Sequence, residues 1–131
     1  MDEPLPRTGG GASSQVVLRV PAEVSFLYLI RLTTTGAAGE VGLTVEELED
    51  LKIAIDELCT VVIEAGDGEA LELVLELAPG SLTVRGTRGG VPGAELDELV
   101  TMILEATVDA YGFEVDGDGI SFVLRKGRGD H

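Results

Sequence analysis

Residues Thr44 to Ala65 read TVEELEDLKIAIDELCTVVIEA, a pattern that admits essentially one local structure. Val45, Leu48, Leu51, Ile55, Leu58 and Val62 recur at steps of three and four, which puts them on one face of a helix. Thr44 has the side chain of an N-cap, and Glu47 three residues later completes a capping box. Glu46, Glu47, Glu49 and Asp50 fall in the first turns, where the helix dipole favours negative charge, and Gly66 supplies the stop.

Around this helix the chain alternates extended and helical patterns. Residues 1–13, MDEPLPRTGGGAS, have almost nothing to bury and read as a disordered leader. QVVLRV (Gln15 to Val20) is a β-branched strand stopped by Pro21. The Pro21-Ala22-Glu23 corner opens a helix, with Val24, Leu27, Tyr28, Ile30 and Leu32 as its apolar residues, that ends near Thr34 before GAAG. Leu71, Leu73, Leu75 and Leu77 alternate with acidic or exposed positions, as in a strand with one buried face. Pro79-Gly80 turns it into an antiparallel partner, Ser81 to Arg85, followed by a glycine-rich loop from Gly86 to Gly93. Ala94 to Asp109 is a third helix with Leu96, Leu99, Val100, Ile103, Leu104 and Thr107 inside. Tyr111 to Val115 and Ile120 to Leu124 form a closing hairpin around Asp116-Gly117-Asp118-Gly119, and the tail KGRGDH is frayed. This order implies an α/β (α+β) two-layer sandwich, a mostly antiparallel mixed sheet with three helices on one face. The expected domain runs over 14–126, with 127–131 as its tail.

Charge and cysteine content exclude several functions. With 24 acidic and nine basic residues the chain carries a formal charge of −15, which repels phosphate backbones and anionic membranes. Direct nucleic-acid binding is not expected; the charge suits a basic protein partner or a solvated acidic surface. No run reaches the roughly 18 apolar residues of a membrane span, and no signal-peptide pattern opens the chain, so it reads as cytoplasmic. The single cysteine, Cys59, reads as a small buried hydrophobe, without a disulfide or a cysteine cluster for zinc. Asp116 and Asp118 suit a hairpin turn better than a calcium loop, Asp56 is spaced to pair with Lys52, and the terminal His131 has no assigned role.

The stretch DLKIAIDELCTVVIEAG, together with VVLRVPAEVSFLYLIR before it and ILEATVDAYGFEVDGDGISFVLRK after it, resembles the GHKL (histidine-kinase-like) ATPases. The likeness is to the anti-sigma factor serine kinases of the RsbW and SpoIIAB kind, and it covers about residues 14 to 126. It implies a Bergerat-like fold and a bacterial regulator in a partner-switching pathway. The partner would be a sigma factor or a STAS-type anti-sigma antagonist, and a homodimer is admitted. On this sequence the family's Glu-x-x-Thr-Asn motif falls on Glu57, Thr60 and Val61. Positions 57 and 61 project from one helical face, so a carboxylate and an amide there would share a cleft. Glu57 would be the general base of a kinase, or else a solvated surface group. Val61 stands where an amide oxygen would ligate Mg²⁺, and valine has no lone pair to offer.

The family's Asp-x-Gly-x-Gly box follows the strand matched by Ser81 to Arg85. Here the residues are Arg85-Gly86-Thr87-Arg88-Gly89-Gly90, so Gly86, Gly89 and Gly90 keep the glycine character without the adenine-binding Asp. Arg85 and Arg88 are candidates to meet phosphates, against a solvated loop or a shortened ATP lid. Weak or no ATP binding is therefore expected, with no cofactor; ATP and Mg²⁺ enter only if the family activity is retained. Three readings stand: a protein-binding anti-sigma-like regulator, an active serine/threonine kinase using Glu57, and a stand-alone structural or dimerising domain. Whether the chain is an enzyme stays open between them.

Overall fold

The computed structural model of the chain describes residues 14–129; the leader 1–13 and His131 lie outside the described residues. Its elements are β1 (Ser14–Val20), a 3₁₀ turn (Val24–Phe26), α1 (Leu27–Glu40), α2 (Val45–Ile63), β2 (Leu71–Ala78), β3 (Ser81–Gly89), α3 (Glu98–Thr107), β4 (Ala110–Asp116) and β5 (Gly119–Gly127). The five strands lie in the order β1-β2-β3-β5-β4, and every pairing is antiparallel, so the expected mixed character is absent from the sheet.

The core lies between the helices and one face of this sheet. Leu71, Leu73 and Leu75 of β2, Leu82 and Val84 of β3, and Ile120, Phe122 and Leu124 of β5 point inward and are buried. They pack beneath Ile30 of α1, Leu51, Ile55, Leu58 and Val62 of α2, and Leu104 of α3. The period-two and period-three-to-four patterns thus bury the faces they predict. Several residues of the expected apolar patterns are instead exposed: Val24 in the 3₁₀ turn, Tyr28 and Leu32 on α1, Val45 at the start of α2, and Leu99 on α3.

Element ends differ from expectation for local reasons. α1 begins at Leu27 rather than Ala22, because the backbone from Pro21 to Phe26 first makes tight turns. It then runs through Gly36 and Gly39 to Glu40. Ala37 and Ala38 are buried there, and that packing outweighs the roughly 1 kcal/mol each glycine costs a helix. The true stop is Gly42, at φ +88°: its N–H donates to the Gly39 carbonyl while Leu43 N–H donates to Ala38, the Schellman arrangement. α2 starts as expected, with both capping-box hydrogen bonds between Thr44 and Glu47 formed. α3 starts at Glu98 because the Asp97 side chain accepts from Val100 N–H at 2.8 Å and caps it there. β3 continues through Gly86 to Gly89, so half of the expected glycine loop is strand. β5 takes in Lys126 and Gly127, which the tail was expected to include. Lys126 is buried, its ammonium donating to the Thr107 carbonyl at 2.7 Å and to Asp50 at 3.4 Å.

Candidate functional site

The two sides of α2 are told apart by their partners. On one side Asp56 accepts from Arg31 of α1 at 2.7 Å, while Lys52 turns to Glu49 at 3.4 Å; the expected Lys52–Asp56 pair is not made. On the other side Asp50 meets Lys126, which is anchored to the end of α3. Glu57 lies two turns beyond Asp50 and Val61 one turn further, so both project toward the α3 side of the helix. Glu57, Thr60 and Val61 are each half-buried. They line none of the four surface grooves of about 180 to 760 Å³.

The dominant polar feature at this end of α2 is Arg88, which is only 3% exposed. Its position follows from strand alternation: Leu82, Val84, Gly86 and Arg88 share the inward face of β3. Arg88 Nη1 donates to the carbonyls of Val62 at 2.9 Å and Ile63 at 3.1 Å, and Nε donates to the Glu69 carbonyl at 2.8 Å. A guanidinium thus caps the last turn of α2, where unpaired carbonyls and the helix dipole favour a cation. Neither expected role for this residue, phosphate contact or solvated loop, describes that arrangement. The period-two pattern continuing past Arg85 was the signal that could have found it. Arg85, by contrast, is exposed on the opposite sheet face and lies 3.6 Å from Glu76.

The glycines are taken up by the chain's own packing. A Cβ on Gly86 would stand 2.3 Å from the Phe122 ring, and one on Gly89 would stand 2.9 Å from the Glu69 carboxylate. Gly90 carries the chain out of the strand, donating to the Asp118 carbonyl at 2.7 Å, and the next residue, Val91, is buried.

The remaining candidates resolve as structural groups. Cys59 is fully buried, and burial, followed by the nearby Asp56 charge, pushes its thiol up to about 12. Asp116 accepts from the backbone N–H groups of Asp118 and Gly119, which is the hairpin turn. Among the described residues no group of three or more His, Cys, Asp or Glu side chains is arranged to hold a metal, and no helix is long and apolar enough to cross a membrane.

No family model matches the chain. Among curated proteins it is similar to the serine-protein kinase RsbW of Bacillus subtilis, 43% identical over 49 residues, which is 37% of this chain and 31% of that one. It is 38% identical to RsbW of Bacillus pumilus over 64 residues, 46% of this chain and 40% of that one. To RsbW of Bacillus cereus strain B4264 it is 30% identical over 80 residues, 59% and 50% of the respective chains. The match thus spans a third to a half of those relatives' length. In fold, the chain resembles the crystal structure of the RsbU and RsbW domains of Rv1364c from Mycobacterium tuberculosis. The TM-score is 0.70 at 18% identity, over 87% of this chain and 32% of that one. The chain is thus similar in sequence to parts of RsbW proteins and in fold to a structure that contains an RsbW domain.

Proposed function

We propose that the chain is a protein-binding regulator of the anti-sigma kind, working in a partner-switching pathway, with ATP binding weak or lost. The observation that carries this reading is the Arg88 guanidinium engaged at the end of α2. The Asp-x-Gly spacing of the family's box can be laid on the sequence with Val84, Thr87 or Arg88 in the acceptor position. Thr87 faces the other side of the sheet; Val84 and Arg88 both face the helices, and of these Arg88 is the polar one, bonded to the end of α2. There a donor stands in place of an acceptor, with Nε and Nη1 engaged by three carbonyls. One turn before the end of the helix, Val61 offers no ligand to Mg²⁺. These residues do not fit a magnesium nucleotide.

A protein partner has a surface to meet. Tyr28 and Leu32 stand one turn apart along the outside of α1, exposed at 54% and 64%, with Val24 of the preceding 3₁₀ turn and Ile53 of α2 also exposed. Asp56 of α2 pairs with Arg31 of α1, next in sequence to Leu32. This face suits a sigma factor or antagonist domain that brings apolar and basic groups together.

Titration calorimetry of the purified protein with Mg-ATP tests the nucleotide part: no binding heat is expected, and micromolar affinity would overturn it. Affinity capture from the native cytoplasm tests the partner part, with a sigma factor or small antagonist domain expected. A second reading, the active serine kinase, is favoured by the name of the relatives and by the half-buried Glu57 on the α3 side. It requires phosphate transfer to an antagonist that is lost in Glu57→Ala; the proposed regulator shows no transfer in either form.

A further inference from the structure

β1 forms one edge of the sheet, and Ser14 to Val20 pair with Leu77 to Leu71 in unbroken register, without a bulge. In an antiparallel ladder the backbone groups of alternate residues point away from the partner strand. Along β1 those outward groups are unpaired among the described residues, since no backbone hydrogen bond beyond the ladder involves Ser14 to Val20. Sheet edges are ordinarily blunted by proline, lysine, a bulge or a covering segment. β1 has none of the first three, and every residue but Leu18 and Val20 is exposed. The opposite edge is different. Gly112 interrupts the side chains of β4, and a Cβ on Gly93 would stand 2.6 Å from Val115 near its end.

The C-terminal end of β1 opens into a groove of about 760 Å³. Glu23, Glu64 and Asp67 line it, all exposed and none paired with a cation among the described residues. The end of α2, the negative pole of that helix, lies there too. The two arginines beside the groove do not offset this charge. Arg88 is held by the Val62, Ile63 and Glu69 carbonyls, and Arg19 stands on the sheet face opposite the buried Val20.

We propose that β1 binds an extended segment of a partner protein as an added antiparallel strand, with a basic residue at the segment's N-terminal end seated in the acidic groove. Only an extended backbone repeats donors and acceptors at the two-residue interval, about 6.6 Å, that this edge presents. Every pairing in the sheet is antiparallel, and a strand added in that sense starts beside Val20 and finishes beside Ser14. Its first residues therefore reach Glu23, Glu64 and Asp67, which attract lysine or arginine and repel a carboxylate. The residues that follow alternate between the helix side, next to Val16 and Leu18, and the open side, next to Val17. Apolar and β-branched side chains suit both. The inference does not rest on the proposed function, because it uses the backbone of β1 rather than the side chains of α1 or a nucleotide.

Amide exchange of the full chain, followed by NMR with and without the capped peptide RKTVTVTV, tests it. In the free chain alternate amides of Ser14 to Val20 are expected to exchange freely, and the peptide is expected to protect them. Methylating one alternate set of the peptide's amide nitrogens should weaken binding about ten-fold or more, and methylating the other set should leave it within about two-fold. Starting the peptide with EE in place of RK, or substituting Glu23→Lys or Asp67→Lys at these exposed positions, should each cost about three-fold or more. Absence of protection by the peptide overturns the proposal, as does equal loss from both methylated peptides or an affinity indifferent to the charge reversals. Protection already complete in the free chain assigns the edge to the chain's own N-terminal residues. Protection that grows with protein concentration assigns it to a second copy. Either result also overturns the proposal.

Discussion

Replacing Arg88 with alanine tests how this architecture is held together. The side chain is 3% exposed and donates three hydrogen bonds, to Val62, Ile63 and Glu69, all of them backbone carbonyls. Val62 and Ile63 close α2, while Glu69 precedes β2, so one guanidinium ties the end of the central helix to the start of a central strand. A hydrogen bond from a charged donor contributes about 1.5–3 kcal/mol, and a buried acceptor left unpaired costs about 1–3 kcal/mol. Water entering from the open groove beside Arg88 restores part of that, which brings the expected loss to about 3–5 kcal/mol, in the range for breaking a buried charged network. With a urea m-value of about 1.5 kcal/mol/M, the unfolding midpoint falls by about 2–3 M. Arg88→Lys reaches fewer carbonyls as a point charge and recovers part of the loss, whereas Arg88→Met restores packing without donors and does not. Urea unfolding followed by circular dichroism makes the comparison. A loss below about 1 kcal/mol for Arg88→Ala would show that the three carbonyls are solvated and that the guanidinium is not the clasp.

Other perturbations follow from single contacts. Gly86→Ala drives a methyl group against the Phe122 ring and should destabilise by about 1–3 kcal/mol; Phe122→Leu in the same chain should recover some of it in a double-mutant cycle. The Cys59 thiol, held near 12, should resist a thiol reagent at pH 8 in the native protein and react once urea unfolds it. Glu47 is held below its usual 4.5 by the backbone N–H groups of Thr44 and Gly129. A carboxyl with a depressed folded value adds stability above its unfolded value and loses it as pH falls through the folded one. Urea titrations from neutral pH downward should therefore show a steeper acid loss in the wild type than in Glu47→Gln, beginning near pH 4.5.

Much of the architecture was legible because apolar periodicity and burial coincide in the long elements. The six-residue apolar face of α2, its capping box and the alternating leucines of β2 all lie where pattern alone put them, apart from the exposed Val45. What was not legible depended on contacts distant in sequence. Gly36 and Gly39 looked like breakers of α1 until burial of their neighbours Ala37 and Ala38 outweighed propensity. Gly86 looked like a loop residue because the Phe122 ring that needs its missing side chain lies 36 positions away. Lys126 looked like tail because its acceptor, the Thr107 carbonyl, closes a different element.

The candidate site shows the same division in sharper form. Glu57, Thr60 and Val61 were identified by motif spacing, and spacing along a helix does determine which side chains share a face. Spacing does not say what stands across from that face. In this chain that face is turned toward α3, while the inward residues of β3 past Val84 are a glycine filled by an aromatic ring and an arginine bonded to the end of α2. An arginine nine-tenths buried without a carboxylate partner among the described residues is costly unless its donors are satisfied, and here the end of α2 satisfies them. That arginine is thus the residue that completes the helix. A carboxylate at position 88 would free the carbonyls of Val62 and Ile63 and set a further acceptor against them.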